Sequence, residues 1–172
     1  MRGLSTKPEY LIPYLTLYKN VEVKLSNRIQ KNGVARFYSP KQEFEEEFKP
    51  YILVYNADSR KIYQECEQFD SETTQCIMRL IRKKFVVPEG EEPLFYILFV
   101  LLHEVGHWYD YLNRRDWYNK NFNDDDCEAE EYRNKPCEKS ADEFALGNFE
   151  NAWNELNVGL FHGKMESLEK SI

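Results

Sequence analysis

One stretch of the chain reads His103-Glu104-Val105-Gly106-His107, and a second, some thirty residues on, reads Glu138-Lys139-Ser140-Ala141-Asp142-Glu143-Phe144-Ala145. Imidazoles four residues apart on a helix share one face and stand about 6 Å apart along the axis. His103 and His107 can therefore reach a single ion while Glu104 projects beside it. This is the HExxH pattern, whose two histidines hold zinc and whose glutamate is the general base of a hydrolysis. Zinc accepts nitrogen and carboxylate ligands, and a catalytic site needs three protein ligands plus one open position.

The third ligand follows by elimination only in part. A metzincin would carry another histidine six residues after His107, but that residue is Asn113. His162 is the only other histidine. The second stretch offers Glu138 and Asp142, four apart on one helical face. They divide naturally into a ligand, Glu138, and an acceptor, Asp142, for the outward N–H of a ligating histidine. Glu143 competes within the same stretch, and Asp110 and the run Asp124 to Asp126 are further candidates. A developing oxyanion also needs a donor. His162 and Tyr109 are the candidates for it, with Tyr111 and Tyr132 as alternatives. Cys137 neighbours Glu138, but adjacent helical residues diverge by about 100°, so it is read as structural.

HEVGH followed by EKSADEFA resembles the ImmA/IrrE family of zinc peptidases, in which HExxH is paired with a downstream E-x-x-A-N/D-x-F-A. The match covers roughly Pro93 to Phe149. The resemblance implies a compact gluzincin-like domain holding one catalytic zinc ion. It implies an endopeptidase that cuts a protein substrate, a transcriptional repressor of a bacterium, phage or mobile element. The alternative is a zinc-binding anti-repressor that sequesters its partner without cleavage. Glu104 speaks for the enzyme, because metal binding alone does not require it. The expected fold is α+β and zincin-like: a small, mainly antiparallel sheet beside a central HExxH helix and a second, ligand-bearing helix.

The elements that must position these residues are read from spacing and turn chemistry. Glu91-Glu92-Pro93 opens a helix well, since proline tolerates the first turn and acids favour the positive end of the dipole. Leu94 through Leu112 continues it, apolar on all sides in its first half, as in a buried central helix. From Pro136 a second helix has Ala141, Phe144, Ala145, Phe149, Ala152, Trp153 and Leu156 on one face, with a loose tail expected around Gly159 and Gly163. Arg114 to Pro136 reads as a polar connection with one exposed helix at most. Upstream, Leu15, Tyr18, Val21, Leu25 and Ile29 predict a helix over Tyr14 to Gln30. Gln42 to Lys49 suits a short surface helix or docking loop. Tyr51 to Tyr55 predicts a strand, Asn56 to Ser59 a turn, and Lys61 to Phe69 the second arm of a hairpin. Thr73 to Val87 is read as a strand, with Thr73 to Arg82 as the sheet edge on which a peptide substrate would lie.

The 172 residues suit one metallopeptidase domain, with 1–90 supplying the first helix and sheet and 91–172 the active-site helices and tail. A net charge of −7 argues against direct nucleic-acid binding, which runs on Lys and Arg. No apolar run approaches the length that crosses a bilayer. No secretory leader is evident, so a cytoplasmic protein with free thiols at Cys66, Cys76, Cys127 and Cys137 is expected. The equal spacing within Cys66/Cys76 and Cys127/Cys137 leaves two local disulfides as the alternative.

Overall fold

A computed structural model describes residues 6–28, 34–39, 49–122 and 129–169, with side chains in the last stretch described for 131–159. The architecture is α+β, with one three-stranded sheet among the described residues. Helix α1 (Pro8–Leu11) and two 3-10 turns, Ile12–Tyr14 and Thr16–Tyr18, lead into strand β1 (Val23–Ser26). The helix expected from Tyr14 is thus corrected. Leu15 and Tyr18 are buried from the turns, and Leu25, which a helix would have buried, is exposed. The Tyr18 hydroxyl donates to the Leu101 carbonyl at 2.7 Å, pinning this entry segment to the core.

Strands β2 (Ala35–Tyr38) and β3 (Tyr51–Tyr55) complete the sheet, in the order β1-β3-β2. β1 runs parallel to β3 with Val23 opposite Ile52, and β2 runs antiparallel with Phe37 opposite Ile52. The sheet is therefore mixed and not mainly antiparallel. The hairpin arm expected after β3 is helical, so β3 takes both its partners from earlier in the chain. Residues 40–48, where a short helix or loop was expected, lie outside the described residues.

Helices α2 (Ser59–Phe69) and α3 (Ser71–Lys84) replace the two strands expected there. The cause is local. Asp58 accepts from the amides of Arg60 at 3.0 Å and Lys61 at 3.4 Å, and Asp70 accepts from Thr73 at 3.2 Å, so both acids cap helices. α2 buries Ile62 and Cys66, and α3 buries Thr74, Ile77, Met78 and Ile81. The edge assigned to Thr73–Arg82 is accordingly wrong, and among the described residues the outer strands of the sheet are β1 and β2. Cys66 and Cys76 are free thiols, as is Cys137; Cys127 lies outside the described residues.

The long helix α4 (Glu92–Asn113) matches its expectation, and Glu92 accepts from the Gly90 amide at 2.8 Å just ahead of the first turn. It is followed by α5 (Arg115–Asn121), α6 (Ala129–Arg133) and α7 (Pro136–Glu169). The loose tail expected from Gly159 is corrected, because α7 continues through it. Ala141, Ala145, Phe149, Ala152 and Leu156 form a buried stripe along α7. Phe149 stacks on Phe85 at 4.7 Å and meets Phe95 of α4 at 5.2 Å. Fully burying each large apolar side chain along this seam contributes about 1.5–3 kcal/mol. One continuous core runs from Leu11 to Leu156. No described helix is long and apolar enough to cross a membrane.

Candidate metal centre

α4 and α7 lie side by side where each is least bulky. A β-carbon on Gly106 would stand 2.9 Å from the Ala141 α-carbon and 3.2 Å from its carbonyl oxygen. Only glycine at 106 permits that approach. Glu138 and Asp142, one turn apart on α7, are thereby set opposite His103 and His107.

Three potential ligand atoms converge. His103 Nε2 is 3.1 Å from Glu138 Oε2, His107 Nε2 is 3.3 Å from Glu138 Oε1, and the two Nε2 atoms are 3.0 Å apart. Ligands held at about 2.0–2.1 Å from a tetrahedral zinc ion stand roughly 3.3 Å from one another, so the trio fits one ion. His103, His107 and Glu138 form a buried group that could hold a metal ion. Behind it, Asp142 Oδ1 lies 2.9 Å from His103 Nδ1, as a carboxylate that fixes the tautomer and tilt of a ligating histidine must. His107 has no such support: its Nδ1 is buried without a hydrogen-bond partner among the described residues.

Arg133, at the end of α6, closes the cluster. Its Nη1 lies 3.4 Å from Glu138 Oε2 and its Nη2 2.8 Å from Asp142 Oδ1, so one guanidinium spans both carboxylates. Arg114 ties the other flank, pairing with Asp110 on α4 and donating to Ser140 Oγ on α7 at 2.7 Å.

The electrostatics follow from these contacts. Burial alone would lower the His103 pKa, but hydrogen bonds to Asp142 and Glu138 overcome it and raise the imidazole to about 9. Burial would raise Glu138, but the two histidines hold its carboxyl far below the usual range. Glu104 is different. Its pKa is raised, chiefly by burial, against the lowering effect of the histidines. Its Oε2 accepts from the Phe37 amide at 2.6 Å, and that contact ties the edge of β2 to α4. A carboxylate whose pKa is raised in this way is suited to exchanging a proton near neutral pH.

Of the residues singled out in the sequence, the structure brings together His103, Glu104, His107, Glu138 and Asp142. Glu143 is exposed, and Asp110 is engaged by Arg114 away from the trio. Tyr109 is 55% exposed and packs on Phe144, so its assignment as a donor at the site is corrected: it lies on the outer face of α4. The side chain of His162 and residues Asp124 to Asp126 lie outside the described residues. Cys137 is buried and donates to the Asn121 carbonyl at 3.2 Å, with burial first among the causes that push its thiol up to about 11. Sequence reasoning missed Arg133, the Phe37 amide and Tyr118. Arg133 alone had a signal, a basic residue just ahead of the acidic pair. Comparison with protein-family models, curated proteins and solved structures finds no match.

Proposed function

We propose that the chain is a zinc-dependent endopeptidase of the ImmA/IrrE kind, hydrolysing a peptide bond in a protein substrate, a transcriptional repressor of a bacterium, phage or mobile element. The observation that carries this reading is the convergence of His103, His107 and Glu138 within 3.0 to 3.3 Å of one another, with Glu104 on the turn between the histidines. A zincin-like arrangement is supported by the small sheet whose edge strand, β2, touches the HExxH helix through Phe37 and Glu104.

His103, His107 and Glu138 would hold the zinc, which when bound supplies Lewis acidity toward a carbonyl and makes water easier to deprotonate. Glu104 takes the proton of the attacking water and returns it to the leaving amine, while the Phe37 amide keeps its Oε2 in place. Asp142 and Arg133 hold the ligand set in register.

Co-expression with candidate transcriptional repressors tests this. A cleavage product is expected with the wild type and not with Glu104→Gln. Cleavage that persists in that variant sinks the mechanism. Full relief of repression by Glu104→Gln at unchanged zinc content would favour an anti-repressor that works by sequestration.

A further inference from the structure

Tyr118 of α5 heads the fully buried side chains by size, at 1% exposure. Rings hold it on several sides. It stacks on Phe122 at 5.2 Å and stands edge-on to Phe37 at 5.8 Å and to the ligand candidate His107 at 5.9 Å. Its hydroxyl is buried and has no hydrogen-bond partner among the described residues. Burying an unpaired hydroxyl costs stability, and phenylalanine would keep every ring contact without that cost. The oxygen therefore serves something other than packing. Burial raises its pKa well above the usual range, and the charges of Glu104 and Glu138 raise it further. The phenol thus lies in the field of both carboxylates that flank the centre.

We propose that the Tyr118 hydroxyl is the donor that stabilises the oxyanion of the tetrahedral addition state, the role that sequence reasoning gave to His162 or Tyr109. This rests on the peptidase reading. In the step, the water oxygen bonds to the carbonyl carbon, the carbonyl π pair moves to oxygen, and Glu104 receives the water proton. Tyr118 donates a hydrogen bond to the new oxyanion and keeps its own proton. The C–N bond then breaks as Glu104 passes its proton to the amine. The ring contacts fix the donor in place beside His107, and the carbonyl oxygen reaches it once substrate displaces the packing over the hydroxyl.

The test compares zinc-loaded full-length wild type, Tyr118→Phe and Glu104→Gln. Tyr118→Phe is expected to retain zinc and to melt no lower than wild type, because only an unpaired hydroxyl is lost. Its kcat should fall about 10²–10³-fold with KM unchanged. Calorimetric titration with inorganic phosphate, a tetrahedral oxyanion, should show at least about tenfold weaker binding than wild type. Equal phosphate affinity in the two proteins, or no phosphate binding by wild type, overturns the proposal even if no substrate is ever cleaved. Cleavage by wild type with an unimpaired Tyr118→Phe also overturns it while leaving the peptidase reading intact.

Discussion

Gly106 of α4 and Ala141 of α7 meet backbone to backbone, with 2.9 Å between the Ala141 α-carbon and the place a β-carbon on Gly106 would occupy. The contact sets how far Glu138 stands from the two histidines. Gly106→Ala gains up to about 1 kcal/mol of helix propensity. It must also push two buried backbones apart, at about 1–3 kcal/mol. We expect a net loss of stability in urea unfolding and a weaker zinc affinity in chelator competition. A variant with wild-type affinity would show that the spacing is set elsewhere.

Arg133 bridges two buried carboxylates that are one turn apart on α7. Removing one partner of a buried ion pair costs about 3–5 kcal/mol, because the remaining charge is left uncompensated. A divalent cation between the histidines and Glu138 supplies part of the missing positive charge. Arg133→Gln should therefore lower the melting temperature of metal-free protein more than that of zinc-saturated protein. Equal losses in the two forms would mean that the arginine acts through packing alone.

The His103 pKa of the metal-free fold, about 9, exceeds its ordinary 6.5. A folded-state pKa raised above the unfolded one gives stability that is complete below pH 6.5 and is lost as pH climbs through 9. Metal-free protein should accordingly unfold at lower urea at pH 9 than at pH 6.5, and Asp142→Asn should flatten that difference. Zinc needs a neutral imidazole, so its uptake at pH 7.5 should release about one proton at this histidine. Titration calorimetry in buffers of different ionisation enthalpy measures it.

Asp142 and Glu143 are adjacent acids with opposite surroundings, one facing His103 at 2.9 Å and the other exposed. Asp142→Asn should cost about 10–100-fold in zinc affinity, the usual effect of losing a partner behind a ligating histidine. Glu143→Gln should cost nothing measurable. A reversed order would move the ligand-supporting role along the helix.

The HExxH pattern was legible because it is local: residues four apart on one helix must share a face, whatever surrounds them. The stripe on α7 was legible for the same reason. Tertiary partners were not. Arg133 and Tyr118 sit in a polar stretch whose sequence gives no period, and only the packing of α5 and α6 against the site turns them inward. α2 and α3 were misread because Asp58 and Asp70 are equally at home in turns and at helix starts. Thr74, Ile77, Met78 and Ile81 do have helical spacing, but extending the window to Val87 took in Phe85, where the backbone is already extended, and blurred it. β1 was hidden by the chance spacing of Leu15, Tyr18, Val21 and Leu25.

The hydrogen bond from the Phe37 amide to Glu104 also bears on which inactive variant is worth making. Alanine at 104 deletes the acceptor along with the proposed base, leaving a backbone N–H of an outer strand orphaned beneath the helix and inviting that strand to drift. Any silence of such a protein would then have two causes. Glutamine retains an oxygen for the amide, so it separates lost chemistry from lost architecture, and on the proposed peptidase reading it is the form in which to trap an uncut partner for crystallisation.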